Sequence, residues 1–284
     1  MMEEQPNSRI KLPRGISALL VPFLLAAGLI LTLLPHRTQE FFAWTIQPPL
    51  TALVMGAGYL SGAYFFLRAA FKRDWEEVRL GFLPIAAFTW LTALATILHW
   101  DRFNQDHATF YAWVVLYAIT PVLVPAIWWM NHTDPERRIS GKADVSKTVA
   151  YILGAVGGIT LFTGLALFSM PQLLIPLWPW DLTPLTARVI GSWFVLAGLV
   201  DIAIAVNRRW RSVRLVMESQ LVGLALILVG FLRGMGYLHM DNPFTWGLIG
   251  GLSLLALGLL LVYLLRRRDG KVGQVQVNER RRAG

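Results

Sequence analysis

Eight apolar runs, each long enough to cross a bilayer, limit the fold of this chain more than any other feature of its sequence. The runs lie at residues 15–34, 48–70, 80–100, 109–130, 147–169, 185–206, 215–238 and 245–265. Backbone groups in hydrocarbon must be hydrogen-bonded internally, which allows only helices and closed barrels, and these runs lack the two-residue alternation of barrel strands. The sequence therefore predicts an all-α integral membrane protein with eight transmembrane helices.

The sequence also repeats itself at a distance of 135 residues. The segment from Pro49 to Ala52 recurs as Pro184 to Ala187, and 12 of the 33 residues from 49 to 81 are identical to the residue 135 positions later. Chance would give about two or three identities. Because each half holds an even number of helices, both halves begin on the same side of the membrane. We therefore predict two parallel four-helix repeats, related by a pseudo-twofold axis along the membrane normal.

The basic residues predict the orientation of the chain. Of 26 Lys and Arg residues, 22 lie in the two tails, in the loops after helices 2, 4 and 6, or at the helix ends beside these loops. This positive-inside pattern predicts cytoplasmic N- and C-termini in the plasma membrane, with a basic face that suits anionic lipid. The predicted parts are an N-terminal tail (1–14), a first repeat (15–130), a cytoplasmic linker (131–146), a second repeat (147–265) and a basic tail (266–284).

Several classes of function have no support in the sequence. No soluble module could carry nucleic-acid binding, and the absence of cysteine excludes disulfides, thiolate metal sites and iron–sulfur clusters. The motifs of serine hydrolases, P-loop enzymes and zinc proteases are missing, which favours a protein without catalytic activity but leaves the question open. The glycine-rich segments 154–158 and 247–251 are interpreted as sites of close helix packing.

Arginines inside two predicted helices point to a ligand-binding site. Arg188 and Arg233 lie toward the predicted outer side, where Asp181, Asp241 and Asp101 follow or precede the helices. Buried charge in a membrane is costly and usually marks function. We predict that these five residues form an outer-facing polar site between the repeats that binds a small anionic ligand. The alternative is internal ion pairing, with the long arginine side chains reaching the surface.

Two other groups of polar residues are open to a functional or a structural interpretation. His99 and His239 close helices 3 and 7, and could hold a divalent metal or a b-type haem between the repeats, or could simply be polar helix ends. Asp201 and Glu218 lie in predicted helices. For them we favour ion pairs with the arginines of the loop after helix 6, which are Arg208, Arg209 and Arg211.

Two aromatic segments, residues 42–49 and 178–184, precede helices 2 and 6. Their tryptophans, Trp44, Trp178 and Trp180, suit an interfacial belt, and Pro49 and Pro184 suit the first turn of a helix. Segments that fold inward to line a cavity are the alternative.

The sequence thus favours a small-molecule or ion transporter or binding protein. The alternatives are a structural or sensory membrane subunit, and a redox or metal protein that uses the two histidines.

Overall fold

The computed structural model describes residues 13–72, 74–132 and 144–283, and within these ranges the chain forms eight long helices and no strand. The long helices are α1 (Pro13–Leu33), α2 (Pro49–Ala70), α3 (Arg79–Leu98), α4 (Ala108–His132), α5 (Lys147–Ser169), α6 (Pro184–Asn207), α7 (Trp210–Arg233) and α8 (Pro243–Ala283). The prediction of an all-helical membrane protein is confirmed for these residues. Most of the predicted N-terminal tail and most of the predicted linker lie outside the described residues.

Seven of these helices, α2 to α8, are long and apolar enough to cross a membrane. The described part of α1 is long and apolar enough only when it is counted together with the short helical segment Pro35–Phe41. The chain bends by 101° between the two. The fold is therefore that of a polytopic membrane protein with seven candidate spans, or eight if the bent pair counts as one span.

Two helices differ from their predicted bounds by more than two residues. Helix α7 begins at Trp210 and ends at Arg233, whereas the apolar run predicted 215–238. Its charged first turns are stabilised because Arg211 forms an ion pair with Asp74, and Arg214 donates to Glu218. Helix α8 continues to residue 283, well beyond the predicted end at 265.

Helices pack both within each half of the chain and between the halves. Within the halves, α1 packs on α2 and α5 packs on α6. Between the halves, α2 packs on α7 and α3 packs on α6. Two of these pairs approach backbone to backbone. A Cβ atom on Gly56 would lie 3.1 Å from the Gly28 carbonyl oxygen, and one on Gly191 would lie 2.8 Å from the Gly164 carbonyl oxygen. Only glycine allows contacts this close.

The two aromatic segments fold into the bundle, so the interpretation of Trp44 and Trp180 as an interfacial belt is wrong. Trp44 and Trp180 are only 2% and 1% exposed. The Trp180 indole N–H donates to the Thr51 hydroxyl oxygen at 2.9 Å, which binds the segment before α6 to α2. Pro49 and Pro184 begin their helices as predicted.

The loops alternate between two ends of the bundle. We call the end with the loops after α1, α3, α5 and α7 the aromatic end, because both aromatic segments lie there. The opposite end, with the loops after α2, α4 and α6, is the basic end. Helix α8 is the least buried span, with only 6% of its most apolar window inside the protein.

Candidate functional site

A cavity of about 770 Å³ lies among α5, α6, α7 and α8, with α2 at its inner side. Its walls are almost entirely apolar. The aromatic rings that line it are those of Phe65, Phe162, Trp178, Trp180, Trp193, Phe194, Phe231 and Phe244. Trp178 and Trp180 close it toward the aromatic end, so that the inward-folding segment forms part of the cavity wall.

The cavity opens sideways, through the surface of the bundle. Its rim includes Ile159 and Phe162 of α5, which are 69% and 74% exposed, and Phe244 of α8, which is 57% exposed. These side chains belong to the apolar surface that faces lipid in a membrane protein. The opening between α5 and α8 therefore faces the bilayer.

Asp201 is the one ionisable residue among those that line the cavity. It is completely buried, and its Oδ1 atom accepts a hydrogen bond from the Gln220 amide at 2.9 Å. Its Oδ2 atom and the Gln220 Oε1 atom have no hydrogen-bond partner. Among the described residues no Lys, Arg or His forms an ion pair with Asp201, so the predicted pairing with the arginines after α6 is wrong. Arg208 instead donates to the Val145 carbonyl oxygen.

The hydroxyl groups of Ser61 and Ser219, which also line the cavity, are already satisfied. Ser61 donates to the Ser219 carbonyl oxygen at 2.7 Å, and Ser219 donates to the Ser61 carbonyl oxygen at 2.8 Å. These reciprocal bonds hold α2 against α7. Among the described lining residues, Asp201 Oδ2 and Gln220 Oε1 are the buried acceptor atoms that lack a partner.

Glycines of α8 face the open cavity, contrary to their interpretation as packing residues. Gly247 and Gly251 line the cavity, and a Cβ atom on either would meet nothing within 4 Å. In α5 the interpretation holds for Gly157, whose added Cβ would lie 2.8 Å from the Gly198 carbonyl oxygen.

Glu218, the other buried carboxylate of the second half, is fully paired. It accepts hydrogen bonds from Arg214 at 2.8 Å, from Tyr263 at 2.9 Å and from Tyr64 at 3.0 Å, and Arg68 lies 3.5 Å away. Ion pairing was the expected role, but the partners are Arg214 and Arg68 and not the arginines that the sequence suggested. This group ties α2, α7 and α8 together near the basic end.

At the aromatic end, Arg188 contacts a histidine. Its guanidinium lies 2.7 Å from His99 Nε2. Burial is the larger cause, and the positive charge of Arg188 the next, that lower the pKa of the His99 imidazole below its usual range. The negative charge of Asp101 acts in the opposite direction. The imidazole is therefore neutral and accepts the hydrogen bond. Asp101 itself pairs with Arg102 at 3.3 Å.

The other predicted ligand-binding residues lie in separate contacts. Arg233 is the last residue of α7 and is exposed, and it donates to the Thr32 carbonyl oxygen at 2.7 Å. Asp181 lies 3.4 Å from His239 Nε2, and Asp241 is exposed. No described contact joins these residues to Arg188, and their role in binding an anion stays a prediction.

The two histidines are each engaged by a protein side chain. Arg188 occupies His99 Nε2, and Asp181 lies against His239 Nε2. In the described part of the chain, no three His, Asp or Glu side chains come together as a metal site would require. A metal or haem at His99 and His239 stays a prediction.

The cavity is the feature that the sequence did not reveal. Asp201 carried a signal, because it is an acidic residue in an apolar run that aligns with Phe66 of the first half. The glycines at 247 and 251 could equally indicate close packing or open space, and only the structure distinguishes the two. No protein-family model, curated protein or solved structure matches this chain. Its function is therefore inferred from its own geometry.

Proposed function

We propose that this multi-pass membrane protein binds a small amphipathic molecule that enters from the bilayer into the cavity among α5 to α8. The observation that carries the proposal is a cavity that opens sideways and has a buried, incompletely bonded carboxylate in its wall. Binding here is the first step expected of a transporter or carrier.

The dimensions and lining of the cavity support this proposal. Ligand sites commonly occupy about 300–1,000 Å³, with mostly apolar walls and a few polar groups that fix orientation. The cavity has about 770 Å³, and Asp201 and Gln220 are among the few polar residues of its wall. A hydrocarbon or aromatic body would fit the walls, and a polar group would meet the carboxylate.

The contrast with the first half also supports a dedicated site. Counted from the first residue of each helix, Trp113 and Tyr117 of α4 correspond to Leu248 and Leu252 of α8. The two aromatic residues are buried in a ring cluster of the first half, whereas the two leucines line the cavity. Large rings thus fill the first-half space, and smaller side chains leave the second-half space open.

We further propose that the two halves arose by duplication. The matching helix pairs support this, because α1 on α2 corresponds to α5 on α6, and α2 on α7 corresponds to α6 on α3. The close contact of Gly28 with Gly56 also recurs as that of Gly164 with Gly191, at nearly the same spacing of 135 or 136 residues.

We also propose that the basic end lies in the cytoplasm of the cell. Both termini would then be cytoplasmic, and the basic residues would lie against anionic lipid.

A cavity-filling substitution tests the binding proposal. Gly251→Trp would add an indole ring at a residue that lines the cavity, and Gly250→Trp would add the same ring at a neighbouring glycine that does not line it. A Cβ atom at either position meets nothing within 4 Å. The probe is the neutral fluorophore N-phenylnaphthylamine in phosphatidylcholine nanodiscs, measured by energy transfer from the protein tryptophans. We expect Gly251→Trp to abolish the saturable signal and Gly250→Trp to keep it. Equal signals in both variants would refute the proposal.

Arg188 favours a second candidate function, recognition of an anionic group at the aromatic end. Its guanidinium is half-buried and contacts a neutral imidazole, and within the described residues it has no carboxylate partner. Liposome flux of a small organic anion should then fall in Arg188→Gln and persist in Arg102→Gln, which changes an exposed arginine outside the predicted site. Equal flux in wild type and Arg188→Gln would exclude this role.

A further inference from the structure

We infer that the molecule bound in the cavity carries a protonated amine, which donates hydrogen bonds to Asp201 and Gln220. This inference rests on the proposed function and names the class of its ligand. Gln220 Oε1 is an acceptor, and so is Asp201 Oδ2 when the carboxyl group is ionised, so a donor group would complete both unpartnered atoms.

The charge of the cavity selects a cationic donor over a neutral one. Asp201 is the single ionisable residue among the lining residues, and its one bonded partner is the neutral amide of Gln220. A buried carboxylate without a countercharge is costly, and an ammonium group would neutralise it and form a charge-assisted hydrogen bond. Aromatic rings in the walls also suit a cation that passes or rests against them.

The same oxygens argue against a bare metal ion. A calcium ion takes about six to eight oxygen ligands, and a magnesium ion keeps near-ideal octahedral geometry. The carboxylate here has one amide beside it and mostly apolar surroundings, so it could supply only a small part of such a shell. An ammonium group needs no more than the acceptors that are present.

The indole groups of the cavity indicate the shape of the rest of the ligand. Trp193 and Trp178 each have an indole N–H without a partner. Trp193 lies eight residues before Asp201 on α6, which is about 12 Å along the helix axis. A ligand that extends from the carboxylate toward the aromatic end could therefore place an ether or carbonyl oxygen near these donors.

Three probes with one hydrocarbon chain test the inference: dodecylamine, dodecanol and dodecanoate. Native mass spectrometry of the purified protein counts the molecules of each probe that remain bound. We expect dodecylamine to bind wild type about tenfold or more tightly than dodecanol, with dodecanoate weakest, as one charge-assisted hydrogen bond implies. In Asp201→Asn the preference for the amine over the alcohol should disappear, while binding of the alcohol remains.

The controls separate failure of this inference from failure of the proposed function. If all three probes bind wild type equally and Gly251→Trp removes them, the cavity is a ligand site without preference for a cation, and the inference is wrong. If Gly251→Trp and Gly250→Trp bind the probes as wild type does, the proposed function is wrong as well. Displacement of dodecylamine by sodium chloride, and not by an equal concentration of choline chloride, would assign the carboxylate to a bare ion and overturn the inference.

Discussion

The two buried carboxylates of the second half should respond in opposite ways to the same chemical change. Asp201→Asn and Glu218→Gln each replace a carboxylate with an amide of the same shape. Asp201 has one neutral donor and one unpartnered oxygen, whereas Glu218 has hydrogen bonds from Arg214, Tyr263 and Tyr64. We expect the first substitution to stabilise the ligand-free protein and the second to destabilise it.

The magnitudes follow from these contacts. An unpartnered buried acceptor costs about 1–3 kcal/mol. The amide introduced at position 201 can still accept from Gln220 and can also donate to its free oxygen, so we expect a gain in this range. For Glu218→Gln we expect a loss of about 1–2 kcal/mol, because the partners Arg214 and Arg68 are 47% and 41% exposed and solvent screens their charges.

Thermal unfolding in one detergent measures both effects. A change of 1 kcal/mol corresponds to about 2–4 °C in chains of 150–250 residues, so Asp201→Asn should raise the transition temperature by at least about 2 °C. Glu218→Gln should lower it by a similar amount. A fall in the transition temperature of Asp201→Asn would show that the carboxylate stabilises the fold, and the hydrogen-bond reasoning for the cavity would be wrong.

Two further predictions concern packing and pH. Gly198→Ala should destabilise the protein by about 1–3 kcal/mol, since its Cβ would lie 2.5 Å from the Leu161 backbone nitrogen. Gly158→Ala, with open space around it, should be neutral or stabilising by up to about 1 kcal/mol. Thermal unfolding compares the two variants, and equal effects would contradict the packing argument. The lowered pKa of His99 means that the contact with Arg188 contributes stability above the ordinary histidine pKa of about 6.5 and loses it as the pH falls through the lower folded value. The transition temperature of wild type should therefore fall more between pH 7.5 and pH 5 than that of His99→Gln, and parallel curves would refute this.

The fold class could be predicted from the sequence because long apolar runs allow few structures, but side-chain partners could not. Hydrophobicity places a helix without its rotation, so the sequence did not show that Asp201 lies against an open cavity while Glu218 lies among four donors. Rotation also decides whether a glycine such as Gly157 meets a neighbouring backbone or, like Gly251, meets open space.

The aromatic segments also contain a contact that the local sequence could not predict. Tryptophans beside a membrane helix are typical of an interfacial belt, and Trp44, Trp178 and Trp180 precede predicted helices. The buried Trp180 donates a hydrogen bond from its indole to the Thr51 hydroxyl, 129 residues earlier in the chain. A partner so distant in sequence leaves no local pattern that could have predicted the contact.

The sideways opening of the cavity has a consequence for how occupancy should be expressed. A molecule that enters between α5 and α8 comes from the hydrocarbon phase, where its concentration depends on partitioning and not directly on the amount dissolved in water. At a fixed total dose, added lipid dilutes the molecule and should empty the protein, even though the intrinsic affinity is unchanged. Titrations of this chain should therefore coincide when they are plotted against moles of ligand per mole of lipid.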